Sequence, residues 1–577
     1  MNSLLLAVLC FVGYIIAYNT YGKYLARKVF RLDPNAECPS SALRDDRDFV
    51  PTAKEVLFGH HFTSIAGLGP IVGPAIGVIW GWVPAVLWVF LGSIFMGAVH
   101  DFGSLVASLR NQGRSIGDIA ADLVNHRVRT LFLLIIFFEL WIVIAVFALV
   151  IGILFYLYPA AVLPVWLEVP IAVWLGYLIY KRNAKHTAWG VVAVILMYIT
   201  VVIGAYYPLK MPSIFGLNPI VVWVIIMFIY SYIASTLPVT TLLQPRDYIN
   251  AHELLVAMAL LFIGAIVAHP TIVAPAYNAN PAGAPPIWPF LFVIIACGAI
   301  SGFHSLVSSG VSSKQCRNES DALFIGYGSM LTEASLSTLA IVACVAGIGL
   351  GMPGKGGEVL TGAAAFSAHY ASWSTAAGLA AKLKAFVVGS ANLLESYGIP
   401  AKIGVTIMGV FLVSFAATTL DSATRIQRYI IGELAMAYKL PSLAKAHPAT
   451  LIAVGTAFLL AFSQGFSLPA VKKGALVLWP LFGTVNQLLA GLALLVITVY
   501  LAKRKAPIYV SLLPMIFMVL MTGWAMVLNL VRFYNGAKWL LFGVGLAVLV
   551  LEIWMIIESL IVLKKAYGEP AAAKESA

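Results

Sequence analysis

Long apolar runs constrain this chain more than any other feature of its sequence. A helix that crosses a bilayer needs roughly 20 mostly apolar residues, and the chain contains about fifteen such runs. Only 10% of its residues are charged, whereas about a quarter are charged in an ordinary soluble domain. A soluble fold could not cover so much apolar surface. We therefore predict an all-α, polytopic membrane protein.

The apolar runs define a map of the chain. The predicted spans are residues 3–21, 60–80, 83–109, 130–157, 163–180, 188–207, 218–243, 251–269, 287–309, 321–349, 402–422, 449–464, 474–500, 507–531 and 539–562. The first run lacks the basic leading end and the cleavage site of a signal peptide, so we interpret it as a retained helix. The mixed interval 350–400 is compatible with an amphipathic or a re-entrant helix.

The distribution of basic residues predicts the orientation of the spans. Most of the 36 Lys and Arg residues fall in alternate loops, and such residues prefer the cytoplasmic side of a membrane. The N-terminus is then outside and the C-terminus cytoplasmic. The net charge of +12 thus reflects topology and not nucleic-acid binding. The five cysteines show no paired metal-binding spacing, and we predict neither a metal nor another cofactor.

The second span is unusually rich in glycine and proline. Residues 59–74 contain four glycines and two prolines. Pro70 removes a backbone donor, so carbonyls near Ala66 and Gly67 would lack helical partners. In a bilayer this is tolerated only beside a cavity or an ion. We predict a broken helix, with a kinked packing helix as the alternative. The predicted substrate contacts here are Ser64, Ala66, Gly67 and Gly69.

The seventh span carries a polar cluster around Pro238, which includes Ser235 and Thr236 as further predicted substrate contacts. It follows the second span by five crossings and so runs in the opposite direction. Two interrupted helices in this relation are typical of an inverted five-plus-five repeat, in which half-helix ends bind substrate near the midplane. The alternative is a proline-kinked helix whose hydroxyls bond its own carbonyls.

Candidates for ion coupling follow from polar groups placed inside spans, where they are costly and need a reason. Ser305, Ser308 and Ser309, with carbonyls near Gly67, could hold sodium, or they could serve helix packing. Glu139 and Glu333 lie about mid-bilayer at 1.5 Å per residue and could carry a proton, or bond a neighbouring helix.

Other polar groups are candidates for gating, proton transfer or substrate contact. The predicted gating or relay residues are His60, His61, Asp101, His304, Asp247 and Asp421. Asn486 could contact substrate or join helices. Asp421 has Arg425 four residues later, and this spacing favours a local ion pair.

Several motifs resemble the carbon starvation protein A (CstA) family. They are Phe-Val-Pro-Thr at 49–52, residues 56–62 and 69–71, Gly-Ala-Val-His-Asp-Phe at 97–102, Leu-Gln-Pro-Arg-Asp-Tyr at 243–248, Ser-Gly-Phe-His at 301–304, Thr-Leu-Asp-Ser-Ala-Thr-Arg at 419–425, and Trp-Pro-Leu-Phe-Gly at 479–483 with 486–490. The resemblance implies a LeuT-like transporter of the amino acid–polyamine–organocation superfamily in a prokaryotic cytoplasmic membrane. The family is associated with peptide uptake during carbon starvation, and some members with pyruvate uptake coupled to protons.

We therefore expect a secondary active peptide transporter, not an enzyme, with a proton or sodium as the coupling ion. A pyruvate–proton symporter is the alternative substrate assignment. The rival interpretations are a channel and a haem-binding protein. Five histidines in or beside the predicted spans lie at both predicted membrane faces, which disfavours one shared cofactor. The expected partners are a small molecule and the bilayer. We divide the chain into a first span with a basic loop (1–59), a transporter core (60–422), peripheral spans (423–562) and a disordered cytoplasmic tail (563–577).

Overall fold

The computed structural model describes residues 2–354 and 356–568, which are almost entirely helical. The first α-helices are α1 Ser3–Ala17, α2 Pro39–Ala42, α3 Lys54–Ala66, α4 Gly69–Gly77, α5 Trp82–Gly92, α6 Ala98–Leu109, α7 Ile116–Leu123, α8 His126–Leu157, α9 Val162–Arg182, α10 His186–Tyr206, α11 Pro219–Thr236 and α12 Leu243–Ala268. The others are α13 Ile287–Ile294, α14 Gly302–Gly310, α15 Ser329–Val345, α16 Gly362–His369, α17 Trp373–Ala376, α18 Leu379–Glu395, α19 Ala401–Ala437, α20 Ala446–Phe462, α21 Leu468–Ala475, α22 Trp479–Lys503, α23 Tyr509–Asn535 and α24 Trp539–Gly568.

Short segments of other geometry complete the helices. Four are π-helical: Tyr18–Gly22, Leu25–Val29, Ser93–Gly97 and Leu323–Gly328. Five are 3₁₀-helical: Val78–Trp80, Pro159–Ala161, Ser312–Lys314, Glu319–Asp321 and Gly347–Leu350. The interval that sequence left open contains a small antiparallel pair, β1 Met352–Pro353 and β2 Val359–Leu360, followed by α16 to α18. Of these, α18 packs against α4, α15 and α19.

Fewer helices meet the length and hydropathy of a membrane span than the fifteen predicted. In the described residues twelve do, or thirteen if the bent pair α3–α4 counts as one span. The predicted span 449–464 is the shorter apolar helix α20. The predicted span 287–309 is two short helices, α13 and α14, so its description as one helix is wrong. The last helix continues to Gly568, so only 569–577 of the predicted tail lies outside the described residues.

The predicted break in the second span is confirmed. α3 ends at Ala66 and α4 begins at Gly69, with a bend of 41° between them. Gly67 has φ of +35°, which L side chains rarely adopt, and a Cβ there would lie 2.6 Å from Thr419 Oγ1. Both the backbone conformation and the neighbour therefore require glycine at this position.

The second interrupted helix is not the one predicted. α11 is continuous from Pro219 to Thr236, and Pro238 lies beyond its end, so the predicted break inside the seventh span is wrong. Proline here terminates a helix that is already long enough to span. The interruption occurs instead at residues 295–301 between α13 and α14, where Gly298 has φ of +88°.

The packing of the helices repeats in two halves. In the first half the broken pair α3–α4 is followed by α5–α6 and α8, and α3 packs on α12. In the second half the broken pair α13–α14 is followed by α15 and α19, and α14 packs on α22. The two long helices α8 and α19 pack on each other between the halves. The second half of the repeat thus begins at α13 and not at the seventh span.

This arrangement changes the predicted limits of the core. The boundary drawn at residue 422 falls inside the continuous helix α19. All residues of the apolar stretch within Leu468–Lys503 are buried, whereas only 28% of the residues in the apolar stretch of α24 are buried. α22 therefore belongs to the packed centre, and α24 is the peripheral one of the two.

Candidate functional site

The two helix interruptions lie against each other. Gly69, the first residue of α4, packs so closely on Cys297 that a Cβ would approach its Sγ to 2.3 Å. The Ser337 hydroxyl of α15 donates to the Pro70 carbonyl at 3.0 Å. The indole of Trp88 donates to the Ile295 carbonyl at 2.8 Å. The Ile295 carbonyl at the interruption and the Pro70 carbonyl, whose i+4 residue Pro74 has no N–H, are thus satisfied by side chains of neighbouring helices, as membrane-embedded backbone requires.

The predicted substrate contacts of α3 surround the first interruption. Ser64, Ala66 and Gly67 are buried, and Ser64 Oγ lies 2.8 Å from Ser422 Oγ of α19. Thr418 of the same helix donates to the Thr63 carbonyl at 3.3 Å. The polar face of α19 therefore runs alongside the broken helix.

Ser235 and Thr236 lie at the end of α11. The Thr236 hydroxyl bonds the Ile233 carbonyl of its own helix, the alternative considered from sequence. Arg425 caps this helix end: its Nη2 donates to the Ala234 and Leu237 carbonyls at 3.1 and 2.6 Å. Cations stabilise helix C-termini in this way. Both Ser64 and the end of α11 contact α19 within residues 422–425, and the predicted pairing of Ser64–Gly69 with Ala234–Pro238 into one central site stays a prediction.

Asn486 joins two helices. Its Oδ1 accepts from the Phe303 backbone N–H at 2.9 Å, and its Nδ2 donates to Ser301 Oγ at 3.0 Å. An N-terminal amide of α14 that lacks a helical partner is thereby satisfied. Two roles were predicted for Asn486, substrate contact and the joining of helices, and the observed hydrogen bonds join helices.

The three predicted sodium-ligating serines are buried in α14. Ser305 Oγ donates to the Gly302 carbonyl and Ser309 Oγ to the Ser305 carbonyl, each at 2.7 Å. Ser309 Oγ also accepts from the Ile116 N–H at 3.0 Å. Ser308 Oγ has no hydrogen-bond partner within the described part of the chain. Two of the three hydroxyls are therefore engaged in packing bonds.

Histidines and carboxylates converge beside the second interruption in what we call the His304 cluster: Asp101, His100, His304, Glu333 and Cys297. Asp101 accepts from both imidazoles, with His100 Nδ1 2.8 Å from Oδ1 and His304 Nδ1 3.1 Å from Oδ2. His304 Nε2 lies 3.5 Å from Glu333 Oε2. His61 is separate, with Nδ1 2.7 Å from Ser312 Oγ. Sequence reasoning predicted Asp101 and His304 as gating or relay residues, and the fold brings His100 and His304 onto this one aspartate.

A second buried cluster surrounds Arg246. We call it the Arg246 cluster: Arg246, Glu168, Asp247, Asp421, Tyr230 and His60. Arg246 Nη1 lies 2.5 Å from Asp421, while Asp247 and Glu168 are 3.6 and 3.9 Å from the guanidinium. His60 Nδ1 lies 2.5 Å from Asp247 Oδ2. The four charged residues Arg246, Glu168, Asp247 and Asp421 are almost completely buried.

Sequence reasoning missed three members of this cluster. Arg246 was counted among the basic loop residues, but it lies in the first turn of α12. Glu168 is a carboxylate inside an apolar span, and that signal could have identified it. Tyr230, whose hydroxyl donates to Asp421 at 3.0 Å, carries no comparable signal. The local pair predicted between Asp421 and Arg425 is wrong, because each bonds a different helix or loop.

A small cavity adjoins the Arg246 cluster. Its volume is about 20 Å³, and aromatic side chains of α8, α9 and α11 line it beside Glu168 and Arg246. This is space for about one water molecule. In this conformation the cavity is closed to an organic solute.

The predicted proton carrier Glu139 makes no hydrogen bond with the groups of either cluster in the described residues. It is fully buried in α8, and neither carboxyl oxygen has a hydrogen-bond partner within residues 2–354 and 356–568. An ionised carboxylate in such surroundings would be expensive. The geometry is that of a neutral side chain in the described conformation.

The loop before α3 closes over the ends of α11 and α19. Asp48 accepts from Arg425 at 2.7 Å, from Arg428 at 2.8 Å and from Tyr429 at 2.7 Å. Burial opposes the charged form of Asp48, but Arg428, Arg425 and Lys314 outweigh it and lower the pKa of this carboxyl. Burial also lowers the pKa of Lys314, to about 8. These ion pairs fasten the loop to both helices.

Known proteins resemble this chain over most of its length. The chain matches the family described as carbon starvation protein CstA over residues 2–525. It is 33% identical to the peptide transporter CstA of Campylobacter jejuni, over 93% of this chain and 82% of that one. It is 32% identical to the pyruvate/proton symporter BtsT of Escherichia coli, over 92% and 82% of the two chains. These relatives are transporters and not enzymes.

The fold also has a solved counterpart. A manganese transporter from Eremococcus coleocola superposes with a TM-score of 0.54 at 11% identity, covering 91% of this chain and 99% of that one. At this identity the likeness concerns architecture alone, and it confirms the LeuT-like fold class of a multi-pass transport protein. The chain belongs to the CstA family of carbon starvation proteins.

Proposed function

We propose that this protein imports carboxylate-bearing organic solutes, peptides in the first place, across the cytoplasmic membrane in symport with protons. Family membership and the transporter relatives support secondary transport. The observation that carries the proton assignment is the charge composition of the Arg246 cluster. The basic loops support a cytoplasmic position for the end that holds Asp48, with the N-terminus outside.

The Arg246 cluster contains more carboxyl groups than cations. One guanidinium faces Glu168, Asp247 and Asp421, and all four side chains are buried. Unpaired carboxylates in a low-dielectric interior cost several kcal/mol each. Protonation of a carboxyl group is the direct way to remove that cost. The cluster therefore favours holding a proton inside the membrane-embedded part of the protein.

Arg246 also provides a way to couple the proton to a carboxylate. Its shortest carboxylate contact is Asp421, at 2.5 Å. A substrate carboxylate and the Asp421 carboxylate would compete for the same guanidinium, because both prefer its paired N–H donors. A proton on Asp421 weakens that competition, so proton and substrate bind cooperatively. Both a peptide C-terminus and pyruvate can use this exchange.

Two observations bear on the alternatives. The hydroxyls of Ser305 and Ser309 are engaged by backbone groups, which favours protons over sodium at α14. A pyruvate–proton symporter is the second candidate, since BtsT is as similar to this chain as the CstA proteins are. The closed cavity beside Arg246 must enlarge for either substrate.

Uptake into proteoliposomes tests the proposal. We expect labelled dipeptide or pyruvate to accumulate under an inward proton gradient and not under a sodium gradient alone. Asp421→Asn should retain solute exchange but lose proton-driven accumulation, because the amide cannot alternate between charged and neutral forms. Glu552→Gln is a matched control, since Glu552 is a buried carboxyl of the peripheral helix α24. Accumulation driven by sodium alone, or unchanged proton coupling in Asp421→Asn, would refute it.

A further inference from the structure

The strongest unassigned feature is one edge of the His304 cluster. Cys297 lies in the interruption between α13 and α14, His304 in α14 and Glu333 in α15. One donor atom from each residue lies within 4.8 Å of the other two. Two neighbouring segments and the more distant α15 thus present a sulfur, a nitrogen and an oxygen to one point.

Within the described residues, the nitrogen and oxygen donors of this group make no hydrogen bond of normal length, and their nearest polar contact is the 3.5 Å approach of His304 Nε2 to Glu333 Oε2. His304 and Glu333 are fully buried. In the part of the chain that the structure describes, His304 Nε2 and both Glu333 carboxyl oxygens lack a hydrogen-bond partner. Buried polar atoms without partners are costly, and such atoms facing each other need an explanation.

The surroundings of His304 match those of a metal-ligating imidazole. Its Nδ1 bonds Asp101 Oδ2 at 3.1 Å, and Asp101 in turn bonds His100 at 2.8 Å. Histidines that bind metals through one ring nitrogen usually bond a carboxylate through the other. This contact directs Nε2 of His304 toward Glu333 and Cys297.

The spacing also fits a tetrahedral ion. Zinc binds nitrogen and oxygen at about 2.0–2.2 Å, which puts two such ligands about 3.3–3.6 Å apart. His304 Nε2 and Glu333 Oε2 are 3.5 Å apart. Cys297 is partly buried, whereas His304 and Glu333 are fully buried. A thiolate, an imidazole and a carboxylate suit a borderline cation such as Zn²⁺.

We propose that Cys297, His304 and Glu333 form a resident site for a divalent transition-metal ion of the zinc class, oriented by Asp101. The ion would fasten the interruption at 295–301 to α14 and α15, and its charge would balance the thiolate and the carboxylate. This assignment is independent of proton coupling at the Arg246 cluster. It also differs from the expectation drawn from cysteine spacing, because the ligands converge only in the fold.

Metal binding to the purified full-length protein tests the site directly. After chelator treatment, the wild type should bind one equivalent of Zn²⁺, measured by elemental analysis. Co²⁺ should give a thiolate-to-metal charge-transfer band. Cys297→Ser should abolish that band, and Glu333→Gln and Asp101→Asn should weaken binding by about 10–100-fold. Cys344→Ser is the matched control, because Cys344 is a buried thiol of α15 outside the trio.

Two results would overturn the assignment. One is a wild type that binds no more Zn²⁺ than Cys297→Ser, with both proteins folded by circular dichroism. The other is a Co²⁺ spectrum that Cys297→Ser leaves unchanged. Neither result bears on proton-driven uptake, which is measured separately.

Discussion

Single residues in this protein are fixed by the cost of burying charge and by close backbone approach. Arg246 and Arg425 lie in neighbouring parts of the structure but make different contacts. Arg246 faces three carboxyl groups inside the bundle, whereas Arg425 joins Asp48 to the end of α11. Gly67 and Gly69 show the second constraint, since a Cβ at either position would overlap a neighbouring side chain.

Gly67→Ala should impair the protein through its backbone. Alanine at φ of +35° is strained, and its Cβ would meet Thr419 Oγ1 at 2.6 Å. We expect a loss of about 1–3 kcal/mol in stability and lower uptake. Thermal unfolding in detergent and proteoliposome uptake measure the two effects. Gly543→Ala, where a Cβ meets open space, is the control. Equal behaviour of the two variants would contradict the strain at Gly67.

Asp48→Asn should loosen the loop that closes over α11 and α19. The substitution leaves Arg425 and Arg428 without their carboxylate, and we expect a cost of about 3 kcal/mol at neutral pH. The lowered pKa of Asp48 means that its stabilising effect is complete above the ordinary aspartate value of about 3.9 and is lost as pH falls further.

The melting temperature of wild type and Asp48→Asn should therefore converge in acid. Asp46→Asn serves as the control, because Asp46 and its partner Arg44 are largely exposed and such pairs contribute little. A gap between wild type and Asp48→Asn that persists unchanged below about pH 3 would exclude the carboxylate as its source.

At the scale of helices, the requirements of the bilayer made some structural features predictable from the sequence and left others unpredictable. Helix lengths follow from hydropathy, because lipid requires every backbone group to be bonded internally. The break of α3–α4 was predictable from the density of glycine and proline around Pro70. The break of α13–α14 was not, since residues 287–309 read as one apolar run. Pro238 was misleading, because a proline can end a helix as well as interrupt one.

The sequence indicated some residues of the site but not their pairings. Asp247 and Asp421 were recognised as polar groups near span ends, but their shared partner Arg246 was not. Contacts such as His60 to Asp247 join positions far apart in the chain, and no local pattern encodes them. The Cys297–His304–Glu333 trio is likewise a product of tertiary packing.

Ser64→Ala and Ser235→Ala should differ because their helices differ. Ser64 lies one turn before the break and contacts Ser422 at 2.8 Å. Ser235 lies in the last turn of the unbroken helix α11, 3.5 Å from Thr450. We expect Ser64→Ala to reduce uptake at equal protein levels and Ser235→Ala to remain near wild type. Comparable loss in both would contradict the expected difference between the two helices.

The whole molecule consists of two packed halves with additional helices at its margin. The halves begin at the broken pairs α3–α4 and α13–α14 and meet through α8 and α19. α9 packs on α12, and α23 and α24 pack on α22. The match to the CstA family ends at residue 525, before α24 begins.

A chain that ends after Ala537 should still transport. Removing α24 exposes apolar faces to lipid, which solvates them about as well as the helix does, so we expect uptake within about threefold of wild type. The lost contacts include the bond from Asn125 to Glu558 at 2.9 Å. Proteoliposome uptake normalised to inserted protein measures the effect. Normal insertion without any uptake would show that α24 belongs to the working unit.

We expect the π-helical segments to allow rotation within each half, since such segments are frequent at functional sites. Ser93–Gly97 and Leu323–Gly328 lie in corresponding helices, and the Tyr327 hydroxyl bonds the Ile94 carbonyl across them at 3.2 Å. A π turn holds one residue more than an α turn spans, so tightening it turns the rest of the helix by about 100° and moves it by about 1.5 Å. Such a change would bring the next side chain of each helix to a given contact, while the helix backbone remains hydrogen-bonded.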